Sequence, residues 1–477
     1  MFSPLTPKLG YNAQWPATSI HRLNNDILLG VFNFYRLGNQ YHWNRRLLWC
    51  KLSHVCQRWR HVIYEFAFHL GMQIRCTNGS PIVDTLDHLP PLPLFIEYGH
   101  RKSSRIGIIN LTEQDESGIF HTLRLHGRVC HIELDLPPSV LHKVVALMDQ
   151  NFPILEHLSL SFAVTCQNNL PFTLPKAFLA PNLHHLTLPS IDPVRRLRVL
   201  TSTISLVTLK LSIIQTSGYF RPGLLVARFQ SLPLLEELCL EFSIPIPHPS
   251  AETELLGEHR APVTLPSLKY FQFKGVSAYL ESLVAQIRVP LLEWLSIALF
   301  NQISLALLHL SPLINAFTEG LKVSVASVTF GRKDVSVAAV SGTTYREVLR
   351  LSVICKPLDW QIDCAAQICQ AIIPALSYVH QLTFYCGDDY SQDIQTELQN
   401  SAIDSTTWND LLRSFIGVKT LYINETLLEE LSGALQVEVG SDPGFLPNLR
   451  KIGASRNVFT SFIDTRQVVG RPVQFKW

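Results

Sequence analysis

The sequence is short of charge. Asp, Glu, Lys and Arg make up 16% of it, against roughly 25% in an average globular protein. The two signs nearly cancel, leaving a formal charge of +2. No long run of one sign occurs, so the electrostatic footprint of a nucleic-acid binder is missing. No stretch approaches the ~20 consecutive apolar residues of a membrane-spanning helix. The opening residues, MFSPLTPKLGYNAQWPATS, hold no continuous apolar segment and do not read as a secretory signal. The cysteines, scattered from Cys50 to Cys386, include no Cys-x-x-Cys pair. Several fall at core-like positions, so a reducing intracellular setting, cytoplasmic or nuclear, is expected over a disulfide framework.

Catalytic signatures are also lacking. There is no Gly-x-Ser-x-Gly, no phosphate loop ending in Lys-Ser/Thr and no His-Glu-x-x-His. His184 and His185 are adjacent, and on a strand they would point to opposite faces. Cys364 and Cys369 have no third ligand for zinc. Asp388, Asp389 and Asp393 read as a solvated loop. The expectation is a chain that is not an enzyme and holds no cofactor and no metal.

What the sequence has is a repeated apolar frame. In FPILEHLSLSF, Leu155, Leu158 and Leu160 form Leu-x-x-Leu-x-Leu. The alternation at Leu158 and Leu160 is that of a strand with one buried face, and Pro153 forces a bend before it. The frame returns at Val129, Ile132, Leu134; Leu183, Leu186, Leu188; Leu206, Leu209, Leu211; Leu235, Leu238, Leu240; Leu268, Phe271, Phe273; and Leu292, Leu295, Ile297. Weaker copies stand at Val325, Val328, Phe330; Val348, Leu351, Val353; Val379, Leu382, Phe384; Val418, Leu421, Ile423; and Leu449, Ile452, Ala454. Between them lie segments long enough for helices: Ser139 to Asn151, Gly223 to Leu232, Val276 to Ile287, Ser304 to Glu319, Asp363 to Ser377 and Ile394 to Phe415. Hydrophobic residues make up 47% of the chain, which fits a parallel sheet buried under helices. These units resemble leucine-rich repeats, which run about 20 to 29 residues each, with uneven spacing and mostly without the Asn or Cys that usually follows the frame. The resemblance implies an α/β solenoid with a curved parallel sheet and outer helices.

The chain before the repeats has another character. Residues 1–17, rich in Pro, Thr and Ser, are expected to form a loose arm. Asn24 or Asn25 is placed to cap a helix with Asp26 in its first turn. Ile27, Leu28, Val31 and Phe32 recur at helical spacing. A second amphipathic stretch carries Leu48, Leu52, Val55, Trp59 and Val62. Arg45, Arg46, Lys51, Arg58 and Arg60 lie on its other side, either to meet acidic partner residues or as a solvated face. Ile20, Leu23, Asp26, Ile27, Leu28, Val31 and Phe32, followed by LSHVCQRWRHVI, resemble an F-box over about residues 18–66, within a helical domain expected over 18–70; Asn24 stands where that motif carries Pro. Together with RVCHIELDLP and FPILEHLSLS, the chain resembles the large F-box family of mushroom-forming fungi.

That resemblance implies a substrate-recognition subunit of an SCF-type, cullin-RING ubiquitin ligase. Leu23, Asp26, Ile27, Leu28, Val31, Phe32, Leu52, Val55 and Trp59 would dock on an SKP-type adaptor, or support the docking from the F-box core. Residues 71–98, with the run Pro90 to Pro93, form a stiff connector and first strand, and 99–477 form the repeat domain. Residues between the leucines would line the concave face and meet an unknown protein target: His157, His185, Lys210, Glu237, Tyr270 and Trp294, with the two aromatics the strongest candidates. The alternative for these is ordinary solvated strand surface. The alternative for the whole is a leucine-rich-repeat binding or scaffold protein with no link to ubiquitin, its first helices a cap on the repeats. The segment Ile244 to Pro266 is expected to be a surface excursion, and the tail after Asn457 a cap or extra strand.

Overall fold

A computed structural model describes residues 23–38, 48–66, 70, 73–79, 82–86, 91–99, 111–162, 174–189, 198–214, 220–243, 262–300, 307–319, 321, 323–355, 358–387, 405–436, 446–455 and 457–476. The expected arm (1–17), Ile20, Arg45, Arg46, Pro90, residues 244–261 of the excursion, and Asp388, Asp389 and Asp393 lie outside the described residues. The chain divides into two compact units, Met1–Tyr98 with Asn110–His131, and Gly99–Ile109 with Ile132–Trp477. No helix among the described residues is long and apolar enough to cross a membrane.

The first unit holds helices α1 (Asn25–Gly38), α2 (Leu48–Ser53) and α3 (Gln57–Glu65), then β1 (Ile74–Thr77), α4 (Ile82–Leu86), β2 (Leu94–Gly99), α5 (Glu113–Arg124) and the start of β3 (Val129–Leu136). Of the two candidate caps, Asn24 is the one used: its side-chain oxygen accepts the Ile27 N–H at 2.8 Å. Cys56 caps α3 in the same way, its sulfur accepting the Trp59 N–H at 3.4 Å. Leu28, Phe32, Trp59, Val62 and Ile63 are buried, with the Phe32 and Trp59 rings edge to face at 4.9 Å. Each such side chain contributes about 1.5–3 kcal/mol on burial. β1 and β2 pair in parallel, Ile74 opposite Leu94. Helix α5 starts at a reciprocal cap between Thr112 and Asp115, and Asp115 also receives the Gly79 N–H at 2.7 Å.

The second unit alternates strand and helix. It begins with α6 (Pro138–Leu147), β4 (His157–Phe162), β5 (His185–Pro189), α7 (Arg198–Ser202), β6 (Thr208–Ile214), α8 (Pro222–Phe229) and β7 (Glu237–Phe242). Then come β8 (Val263–Thr264), β9 (Tyr270–Gly275), α9 (Ser277–Val284), β10 (Ile287–Arg288), β11 (Trp294–Phe300), α10 (Leu310–Glu319), β12 (Val323–Phe330), β13 (Val335–Ser341) and β14 (Glu347–Ile354). The last elements are α11 (Leu358–Ala371), α12 (Ile373–Leu376), β15 (Gln381–Cys386), α13 (Ser405–Arg413), β16 (Thr420–Ile423), α14 (Leu428–Gln436), β17 (Lys451–Gly453), α15 (Thr460–Val468) and β18 (Gln474–Lys476). Within this unit the sheet order is β4-β5-β6-β7-β9-β11-β14-β13-β12-β15-β16-β17-β18, while β8 and β10 form a separate parallel pair. The frame residues Leu158, Leu160, Leu186, Leu209, Leu238, Phe271, Leu295, Leu382 and Leu421 are all buried. Helix α11 lies against β12, β13 and β14, and α9 against β9. Helix α10 starts where the buried Glu281 carboxylate accepts the N–H groups of His309 and Leu310 at 2.5 and 3.1 Å.

The turn that the missing Asn or Cys left open is set, in seven of the twelve frames, by a second apolar position three residues before the frame. The N–H groups of Leu155, Leu183, Leu235, Leu268, Val379, Val418 and Leu449 bond the carbonyls of Phe152, Ala180, Leu232, Leu265, Leu376, Phe415 and Leu446 at 3.0–3.4 Å. Those acceptor residues are buried. Pro follows in Pro153, Pro181, Pro233, Pro266 and Pro447, the second position of a four-residue turn, where its fixed φ fits. Successive turns are tied sideways. Asn182 donates to the Pro153 carbonyl at 2.7 Å, Ser267 to that of Pro233 at 2.9 Å and Asn448 to that of Ile416 at 2.9 Å.

Pairing is parallel except at one place. β12 and β14 run with the other strands, and β13 lies between them antiparallel to both. The parallel sheet that the repeats led us to expect therefore carries one hairpin insertion. The frame also shifts there. Val325 is half-buried, while Val323, Ala326 and Val328 point inward, and Leu349, not Leu351, stands opposite Leu295. VSVASVTF and EVLRLSV alternate apolar residues along their length, so a frame can be drawn on them at more than one offset.

Gly417 sits in the turn before β16, against the backbone of the turn before β15. A Cβ there would run into the Ser377 carbonyl oxygen and lie 2.9 Å from that of Val379. Gly417→Ala is expected to cost about 1–3 kcal/mol, read as a lower urea midpoint. Gly433→Ala, on α14 with nothing within 4 Å of the new methyl, is expected to gain about 0.5–1 kcal/mol. Equal midpoints for the two variants would refute this account of the turn.

Candidate interaction surfaces

On the first unit, α1 divides the expected docking residues into two sets. Leu28 and Phe32 are buried, Phe32 against the Trp59 ring, whereas Ile27 and Val31 are half-exposed. Phe34 continues their stripe at the next turn and is 81% exposed. Tyr35 and Val55 are exposed as well. Ile27, Val31 and Phe34 stand at i, i+4 and i+7, one face of the helix. Phe34 and Tyr35 were missing from the expected set, although that spacing carries the signal for Phe34. Asp26 is exposed, and Leu23 and Leu52 are half-buried. Arg58 serves the unit itself: its guanidinium donates to the Leu23 carbonyl and, at 3.0 Å, to Asn25, tying α3 to the start of α1. Arg60 donates to the Ser53 carbonyl at 3.0 Å.

On the second unit, strand register brings the expected target-binding residues into one row. His157 pairs with His185, His185 with Thr208, Thr208 with Glu237, Glu237 with Tyr270 and Tyr270 with Trp294. Lys210 belongs to the next row, between Thr187 and Cys239. The row is partly satisfied from within. His185 Nδ1 lies 3.0 Å from the Thr208 hydroxyl, Lys210 meets Glu237 at 2.7 Å and Gln272 donates to Glu241 at 2.7 Å. An exposed ion pair of this kind contributes about 0–1 kcal/mol, so the row is a set of committed polar groups flanked by Tyr270 and Trp294. Burial, and then Glu241, pushes the Cys239 thiol up to about 12, which keeps it protonated and unreactive at neutral pH.

Burial lowers the His157 imidazole to about 4, helped by the nearby His185 ring, 5.5 Å away between centroids. Burial also lowers His185. A histidine whose folded value lies below its ordinary 6.5 binds its proton more readily in the unfolded chain. Stability is then fully present above about pH 6.5 and falls as the pH drops towards 4. We expect the urea midpoint to fall across that window, and His157→Gln to flatten the slope. An unchanged slope in that variant would remove His157 as the cause.

No protein-family model matches this chain, and no curated protein matches it.

Proposed function

We propose that this chain is the substrate-recognition subunit of an SCF-type ubiquitin ligase: an F-box in the first unit docks on an SKP-type adaptor, and a leucine-rich-repeat-like solenoid in the second holds a protein target. The observation that carries the reading is the apolar stripe Ile27, Val31 and Phe34, facing away from a helix core closed by Leu28, Phe32 and Trp59. Solvent-facing aromatic and branched residues on one helix stripe are the means by which a helix engages an apolar groove. The residues that would face the partner are Ile27, Val31, Phe34, Tyr35 and Val55; Leu28, Phe32 and Trp59 would hold the helices that present them. The chain itself performs no chemistry in this reading. Holding adaptor and target together raises the effective concentration of a target lysine beside the charged ubiquitin carrier. The test is co-expression with an SKP-type adaptor followed by size-exclusion chromatography. A wild-type chain that never co-elutes would favour a scaffold unconnected with ubiquitin.

A further inference from the structure

The rim formed by the turns before the strands changes charge along its length. The residue just after the first frame position is Glu156, His184, Val207, Glu236, Lys269 and Glu293 in β4 to β11, and backbone hydrogen bonds connect each to the next. Three of these six are glutamates, and the one Lys, Lys269, is bound to Glu236 at 3.1 Å. At the other end the same ladder position is His380, Lys419 and Arg450. The Lys419 N–H bonds the His380 carbonyl at 2.8 Å, and the Arg450 N–H bonds that of Lys419 at 2.8 Å. Lys451 follows directly, and all four side chains are exposed. Among the described residues no carboxylate pairs with Lys419, Arg450 or Lys451. Asp410, at the end of α13, is engaged by Arg413 at 3.1 Å.

Beside these cations lies exposed apolar surface. In the turns leading to them, Tyr378 is 68% exposed and Ile416 45% exposed. The ladder places Tyr378 and Ile416 on neighbouring turns, about 5 Å apart in strand spacing. From this juxtaposition we infer that the rim of β15, β16 and β17 is a docking site for an acidic peptide segment with an apolar residue in it. The carboxylates meet Lys419, Arg450 and Lys451, and the apolar side chain lies against Tyr378 and Ile416. Charge complementarity selects the occupant, since three unpaired cations in a chain of net charge +2 form a local patch, not the extended basic stripe of a nucleic-acid groove. The inference rests on the reading that the second unit captures a protein target, and it moves the anchoring contacts from the His157–Trp294 row to the rim.

Fluorescence anisotropy on the full chain tests it. The probe is a fluorescein-labelled decapeptide of Glu and Asp around a central Phe-Leu pair; its controls are the same peptide with Gln and Asn, and a single-stranded DNA of equal charge. The acidic peptide is expected to bind, to weaken as salt rises, and to lose about tenfold or more in the double variant Lys419→Glu/Arg450→Glu. Ile416→Ser is expected to weaken it further, and Lys143→Glu, at an exposed position of α6, to leave it unchanged. Exposed positions preserve the fold, which an unchanged urea midpoint verifies. Equal binding of the neutral peptide, tighter binding of the DNA, or indifference to the double variant would each overturn the site. Peptide binding that survives in a chain unable to co-elute with the adaptor supports the rim while removing the ligase reading. Adaptor co-elution with rim-independent peptide binding removes the rim alone.

Discussion

Ile27→Asp/Phe34→Asp is expected to abolish co-elution with an SKP-type adaptor while leaving the folded chain as stable as the wild type. Phe34 is mostly and Ile27 half in solvent, so little packing is lost in the free protein. At an interface each would be worth about 1.5–3 kcal/mol on full burial, and an aspartate in its place adds the cost of burying an unpaired charge. Together these exceed a hundredfold loss of affinity, since about 1.4 kcal/mol is tenfold. Leu28→Asp and Trp59→Ala are poor tests of docking. Their side chains fill the helix core, and their loss would remove the adaptor by unfolding the unit. Co-elution that survives the double variant, with a normal urea midpoint, would reject the α1 stripe as the docking face.

Trp408→Ala is the substitution expected to damage stability most, by about 3–5 kcal/mol. Trp408 lies on α13, 1% exposed, with its ring 5.7 Å from Phe330 and 5.9 Å from Phe384. These rings join the helix layer to β12 and β15. Among the described residues its indole N–H has no hydrogen-bond partner, so the cost is one of packing and cavity formation. Trp360→Ala is the internal control, since that side chain is 54% exposed on α11; its expected effect is within about 0.5 kcal/mol. Urea unfolding of the second unit measures both. Comparable losses from the two variants would mean that the Phe330–Phe384–Trp408 cluster does not anchor the helix layer.

The strands were legible because their signal is local. A period of two with leucine at fixed positions marks a half-buried strand wherever it occurs, and the middle residue of every frame lies on a strand. The turn signal was equally present, as an apolar residue and Pro before the frame in FPIL, APNL, LPLL, LPSL and LPNL. Pro153 was read as forcing the first of these bends; that the same apolar–Pro pair opens the later ones shows in the turn hydrogen bonds. β13 was not legible. VSVAAVS alternates as well as any parallel strand, and direction is a property of the connection, here the short turn from Phe330 to Val335 that leaves no room for a crossover.

The site residues divide in the same way. Helical spacing placed Ile27, Leu28, Val31 and Phe32 together on α1 but said nothing of which would face inward. That was decided by α3, whose Trp59 covers Phe32 and leaves Ile27, Val31 and Phe34 in solvent. Likewise the strand pattern put His157, His185, Glu237, Tyr270 and Trp294 on one side of a sheet, and the register then set them in a single row. The basic end of the rim has no counterpart in the linear sequence. His380, Lys419 and Arg450 are separated by whole strand–helix units, and only the parallel pairing of β15, β16 and β17 makes them neighbours. Local periodicity, which depends on near neighbours in the chain, determined which segments are strands and helices. Long-range packing, which depends on what each face meets, determined which side chains remain for a partner.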